Sequence, residues 1–263
     1  VTGPDLETDA DQPDLLGGEL VLHGRITTAS NATFVGEIDG VTVVYKPVSG
    51  ERPLWDFPGA VLAEREVASY VVSDALGWDV VPLTWLRGGP HGTGMVQLWQ
   101  EVDPEQEAVT IVPEGEVPEG YLHVFDGVDG RDALVSLVHE DTPELRRMCV
   151  FDLLVNNADR KGGHVLEMEG GHRYGVDHGL TFHPEPKVRT VLWGWLGEEL
   201  TDDELGAITS VREQLGGALG DALRPLLPPL EVDSLARRCD RLLAKGRFPS
   251  PRGEMPAIPW PPF

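Results

Sequence analysis

Apolar and polar residues alternate through Thr33–Ile38 and again through Val41–Val48, a period of two that predicts a strand on each side of Asp39-Gly40. That pair favours a type I′ hairpin, because both central positions need positive φ. In the second strand Val41, Val43 and Tyr45 share one face, and Thr42, Val44 and Lys46 share the other. From about Ala60 to Leu76 the pattern turns helical, with Gly77 placed as a C-cap. Val80–Leu86 and Met95–Trp99 predict two more strands, joined by the turn-rich stretch Gly88–Gly94.

Beyond Trp99 the pattern changes. Glu101–Gly120 is rich in Glu and Pro and reads as a surface connection. Thr142-Pro143 opens a helix, with Thr as N-cap and Pro at the first helical position. It carries Leu145, Met148, Cys149 and Leu153 inward and ends near Asn156. Val165–Met168 and Arg173–Val176 predict a short hairpin. Thr201-Asp-Asp-Glu204 is a capping box that opens a long helix with Leu205, Ile208, Leu215 and Leu219 on one side. A last helix runs from about Asp233 to Lys245. The expected fold is α+β and bilobal, of protein-kinase-like plan. An acidic flexible tail over residues 1–18 precedes a strand-rich nucleotide-binding N-lobe with one helix over 19–99. A mainly helical C-lobe over 100–263 carries the catalytic and metal loops.

Composition narrows the partners. The formal net charge of −23 opposes binding to nucleic acid or to an anionic membrane, since both would be repelled. No apolar run reaches membrane-spanning length, so no stable membrane association is expected. The first residues lack the basic start and apolar stretch of a secretion signal. Cys149 and Cys239, two only and far apart, suggest a reducing compartment, and a cytoplasmic location is expected.

The chemistry concentrates in Asp152-Leu-Leu-Val-Asn-Asn-Ala-Asp159-Arg-Lys-Gly-Gly-His164 and in Tyr174-Gly-Val-Asp177-His-Gly-Leu. Asp159 is a candidate base, His164 a candidate metal ligand five residues later, and Asp177 a second ligand thirteen further on. Protein kinases use the same order, with a catalytic Asp, a metal-binding Asn five residues on, and then a metal-binding Asp. Asp159 sits in a loop that reads as too polar for a core. The plain alternative makes Asn156–Asp159 a helix end with solvated side chains. Lys161 is placed to neutralise charge on a transferred phosphate. Lys46, late in its strand, is a candidate for the α- and β-phosphates of ATP, oriented by Glu66, which shares a helix face with Leu62 and Tyr70. Glu64 is expected to pair with neighbouring Arg65 or with water. Ser30, Asn31 and Thr33 are candidates for capping phosphates, against an ordinary turn. A competing zinc site would gather His164, Asp177, His178 and His183. Trp193-Gly-Trp195 lines an acceptor pocket or packs in the core.

These segments resemble the phosphatidylinositol 3/4-kinase-like superfamily of atypical kinases, including the type II phosphatidylinositol 4-kinases and HipA-like kinases, and more closely an actinobacterial group within it. Asp152–Arg160 is similar to the family's Asp-x-x-x-x-Asn-x-Asp-Arg segment, and Val176–Phe182 to its Ile-Asp-Asn-Gly-Leu-Ala-Phe. Lys46-Pro47 and Glu66-Val-Ala-Ser-Tyr70 also fit, and the likeness spans roughly Glu19–Trp195. The resemblance implies an adenine hinge at Gln97, Leu98 and Trp99. It also implies a phosphotransferase that uses ATP with Mg²⁺ or Mn²⁺ on a hydroxyl-bearing metabolite or protein. A catalytically silent nucleotide-binding module and an AMP transferase are the alternatives. Two departures stand out: His164 replaces the family's Asn, and only Lys187 and Arg189 follow Asp177 as nearby bases.

Overall fold

The computed structural model describes residues 13–27, 29, 31–252 and 255–263. The expected tail at 1–18 falls largely outside them, as does Ser30. The described residues fold as a mixed α/β structure with antiparallel sheets and five α-helices.

The first sheet contains β1 (Leu20–Arg25), β2 (Phe34–Ile38), β3 (Val41–Pro47), β4 (Thr84–Gly89) and β5 (Gly92–Leu98), in the order β1-β2-β3-β5-β4. The β2–β3 hairpin turns at Asp39 (φ 49°) and Gly40 (φ 81°), as the residue pair requires. Period-two alternation then separates two faces. Val43 and Tyr45 join Leu20, Ile38 and Val96 in one apolar cluster. Lys46 and its cross-strand neighbour Met95 belong to the other face.

The glycine run expected as a loop is instead strand. Gly88 pairs with Thr93 and Gly89 with Gly92, leaving a tight turn at Pro90-His91. The reason is steric. A Cβ on Gly94 would lie 2.5 Å from the Lys46 carbonyl oxygen, and one on Gly89 would lie 2.9 Å from the Tyr45 ring. The glycines admit that ring, whose hydroxyl donates to the Gly92 carbonyl at 2.6 Å.

Helix α1 (Leu62–Leu76) ends on Gly77 in the left-handed region, as expected. Its start is held from outside. The Glu51 carboxylate accepts the free amides of Leu62 and Ala63 at 2.9 and 2.8 Å, placing an acid at the positive end of the helix. Ala63 and Val67 pack on Met95, whereas Ala68, Val72 and Leu76 enter the main core.

The stretch after Trp99 departs from expectation. A second antiparallel sheet, order β6-β8-β7, is built from β6 (Val109–Pro113), β7 (Tyr121–Val128) and β8 (Leu134–Glu140). Part of the supposed surface connection is therefore a strand, and the second half of the chain is not simply helical. Outer residues such as Ile111, Phe125 and Val128 stay exposed, so the segment lacks the strong alternation of a half-buried strand.

Helix α2 (Pro143–Val155) starts on Thr142, whose hydroxyl accepts the Leu145 amide. The hairpin β9 (Val165–Glu167) and β10 (Arg173–Gly175) follows. Thr201 and Glu204 complete the capping box of α3 (Asp202–Gln214). Gly216-Gly217 then interrupts the expected long helix, and a short α4 (Ala218–Leu223) precedes α5 (Pro229–Lys245). The main core packs Leu145, Met148, Phe151 and Leu154 of α2 against Ile208 and Val211 of α3 and Leu235 and Leu242 of α5. Among the described residues no helix is long and apolar enough to cross a membrane.

Candidate functional site

The loop bearing Asp159 is assembled from beneath. Helix α2 ends on Asn156 in the left-handed region (φ 57°). The Asn156 side chain donates to the carbonyls of His183 and Glu185, each at 2.7 Å. One turn back, the fully buried Asp152 carboxylate receives Arg160 in a bidentate pair, Nε to Oδ2 and Nη2 to Oδ1, both 2.9 Å. Asn157 donates to the same carboxylate at 2.9 Å and accepts the Asp159 amide at 3.0 Å. The spacing Asp152-x₄-Asn157-x-Asp159-Arg160 is thus a brace. Its first and last members neutralise each other, Asn157 bridges them, and the Asp159 carboxylate is left out of the brace, beside Lys161. The expectation of a loop too polar for a core is overturned, since Asn156, Asn157 and Arg160 are all buried.

Arg160 also ties the two sequence segments together. Its Nη1 donates to the His164 and Val176 carbonyls at 3.0 and 3.3 Å, and Nη2 lies 2.6 Å from His178 Nε2. Gly175 makes room for it, because a Cβ there would lie 2.8 Å from Nη2.

Above this brace the charged groups converge. Lys46 Nζ donates to Glu66 Oε1 at 2.7 Å and to Asp177 Oδ1. The second Glu66 oxygen accepts the His178 amide at 2.8 Å, which locks the carboxylate to the segment that carries Asp177. Asp177 itself takes the left-handed conformation (φ 61°) and stays half exposed. His164 Nε2 is 3.5 Å from Asp177 Oδ2, while Nδ1 is 2.9 Å from the Asp159 carbonyl. Lys161 Nζ lies 3.7 Å from Asp159 Oδ2.

Charge and burial oppose each other at these groups. Burial would lower the Lys46 pKa, but the Asp177 and Glu66 carboxylates outweigh it and hold the ammonium above its usual range. Lys46 in turn holds Asp177 well below the ordinary carboxylate range. Burial pushes Asp159 up, against the pull of Lys161 and His164. Burial pushes His164 down, against the pull of Asp177, which favours the neutral ring. A carbonyl can only accept, so hydrogen bonding assigns the His164 proton to Nδ1. Its Nε2 lone pair then faces Asp177, in the orientation that a second hydrogen bond gives to metal-binding imidazoles.

Lys46, Glu66, Asp159, Lys161, His164 and Asp177 are therefore brought together. Other candidates stand apart. Asn31 accepts the Arg52 amide at 3.0 Å, and buried Thr33 bonds the Asn31 carbonyl at 3.4 Å, so these side chains serve the local turn. Gln97 donates to Thr84 at 2.8 Å, and the amides of Leu98 and Trp99 are bonded to the Leu83 and Thr42 carbonyls. Glu64 does not pair with Arg65. That arginine turns inward to Glu231 on α5, at 2.5 Å. The zinc constellation is not assembled: His178 is committed to Arg160, and His183 packs edge-on against Phe57. Among the described residues no three His, Cys, Asp or Glu side chains form a metal cluster. Trp193 and Trp195 are buried.

Sequence reasoning missed two participants in this architecture. The bracing role of Asp152 and Arg160 was signalled by their spacing but hidden by their polarity. The Arg65–Glu231 pair, 166 residues apart, left no local signal.

No protein-family model matches the chain. The crystal structure of the proinflammatory kinase CtkA of Helicobacter pylori is similar over 88% of this chain and 93% of that one, at 14% identity and a TM-score of 0.47. Protein Rv2133c of Mycobacterium tuberculosis is 47% identical over 97% of this chain and 96% of its own length. With that identity sustained from end to end, the chain belongs to the Rv2133c family.

Proposed function

We propose that the protein is an ATP- and divalent-metal-dependent phosphotransferase acting on an alcohol group of a metabolite or protein, built on a bilobal kinase-like plan. The observation that carries this reading is Lys46 held between Glu66 and Asp177, with Asp159 and His164 adjoining. An ammonium fixed by a buried carboxylate suits the α- and β-phosphates of a nucleotide. The Asp159 carboxylate is available to accept a hydroxyl proton, and its raised pKa favours that role. Lys161 lies beside it, where it offsets negative charge on a transferred group.

Asp177 Oδ2 and His164 Nε2 are two electron-pair donors converging from separate segments. They suit a cation that keeps further positions for water and phosphate, and an imidazole donor favours Mn²⁺ over Mg²⁺. A cation held by Asp177 and His164 would supply neutralisation of phosphate charge. With the Leu98 and Trp99 amides bonded internally, adenine recognition falls to carbonyls and apolar faces near Val44 and Trp99.

The test is ADP formation by purified protein with Mg²⁺ or Mn²⁺, in desalted cell extract, beside Asp159→Ala. Turnover lost in the variant supports the assignment. Nucleotide binding with no turnover would reassign the protein as a nucleotide-sensing module. Acceptor adducts carrying AMP would make it an AMP transferase.

A further inference from the structure

In a chain of net charge −23, a local surplus of cations stands out. One occurs far along the fold, in a cleft of about 130 Å³ beside the end of α5. Arg238, Arg241 and Lys245 recur at helical spacing on one side of α5, and Arg252 follows from the segment beyond it. All four line the cleft, and among the described residues no acidic side chain does. Pro186 and Trp193 contribute apolar surface.

Arg238 is the unusual member. The residue is 6% exposed. Its Nε donates to the Leu154 carbonyl at 2.6 Å and Nη1 to the His183 carbonyl at 3.3 Å. Its Nη2 is buried with no partner among the described residues. Both acceptors are neutral, and the opposing charge of Glu231 reaches the guanidinium through space without a hydrogen bond to it. Glu231, two turns earlier on the same helix, is taken by Arg65 at 2.5 Å. Burial, with Arg241 adding to it, lowers the Arg238 pKa to about 9, which leaves the guanidinium charged at neutral pH. A basic residue in the last turn of a helix complements its dipole, which accounts for Lys245. It does not account for a buried guanidinium with a free N–H.

We propose that this cleft binds a small organic phosphate, the phosphate held by Arg238, Arg241 and Lys245 and the organic part lying on Pro186 and Trp193. Several cations around one point match a dianion better than a carboxylate, and the planar guanidinium fork fits phosphate oxygens. The cleft volume suits a ligand of aromatic-ring size rather than a nucleotide. The inference is independent of the phosphotransferase reading.

Calorimetric titration of the full chain with phenyl phosphate, inorganic phosphate and phenol tests it. Phenyl phosphate is expected to bind saturably and more tightly than inorganic phosphate, and phenol not to bind. Arg241 and Lys245 are exposed, so Arg241→Gln and Lys245→Gln keep the fold and are expected to weaken binding roughly tenfold or more each. Lys46→Met, at the separate cluster, is expected to leave binding unchanged. Absence of saturable binding, indifference to the Arg241 and Lys245 changes, or loss in Lys46→Met would each overturn the proposal.

Discussion

Arg160 and Asp152 form a bidentate ion pair in which both side chains are fully buried, and this pair positions the loop that presents Asp159. Removing one partner leaves an uncompensated buried charge, at a cost of about 3–5 kcal/mol. Arg160→Met and Asp152→Leu are each expected to lose stability on that scale in urea unfolding. The double variant is expected to recover part of it, because an apolar pair leaves no orphan charge. A double variant no better than the sum of the singles would refute a direct pairing energy.

His139 offers a pH test away from the charged cluster. Its Nδ1 faces the Glu140 carbonyl at 2.8 Å, and its Nε2 accepts the Gly194 amide at 2.9 Å, which together demand a neutral ring. Burial lowers its pKa, although Asp141 and Glu140 oppose the shift. The unfolded chain therefore takes up the proton first. This contribution to stability is present above about pH 6.5 and declines as pH falls toward the lower folded-state value. Denaturant unfolding between pH 5 and 8 is expected to show that slope, in roughly that range, and His139→Gln is expected to flatten it.

The acid at the start of α1 is open to a simple measurement. Glu51 accepts two helix amides, and Glu51→Ala is expected to cost about 1–2 kcal/mol. Since α1 carries Glu66, on the phosphotransferase reading the same change is expected to weaken nucleotide binding. Unaltered thermal stability would show that water replaces the carboxylate without loss.

On the phosphotransferase reading, steady-state kinetics separate the roles proposed for Lys46 and Asp159. Asp159→Asn is expected to lower kcat by about 10²–10⁴ with little change in KM for ATP, as the loss of a base requires. Lys46→Met is expected to raise KM as well, because it removes an interaction with bound phosphate. Equal effects of both variants on KM alone would place Asp159 outside the chemistry.

Local signals were the most readable part of this chain. Asp39-Gly40, Thr142-Pro143, Thr201–Glu204 and Gly77 each act through their own backbone, and each stands where the pattern placed it. The β6-β8-β7 sheet was not legible, because its strands gain their partners across the chain and leave Ile111 and Phe125 exposed. Gly89 and Gly94 misled for a related reason: they leave room for the Tyr45 ring, whereas Gly92 (φ 94°) does serve the turn. At the charged cluster, residue type and spacing identified the residues that meet. Burial did not follow from them. Asn157 and Arg160 read as solvated because only the folded chain supplies the Asp152 carboxylate that lets them leave water.

The ion pair between Lys46 and Asp177 has a consequence for ligand entry. The two groups already satisfy each other, so on the phosphotransferase reading the cluster is a closed latch and not an open receptacle. Opening it by metal alone would leave the ammonium with Glu66 as its one carboxylate partner, and opening it by phosphate alone would leave the Asp177 carboxylate to water. Arrival of metal and nucleotide together exchanges partners on both sides with no charge left over. On the phosphotransferase reading, affinity for ATP and affinity for the metal are then two faces of one equilibrium, each low until the other is present.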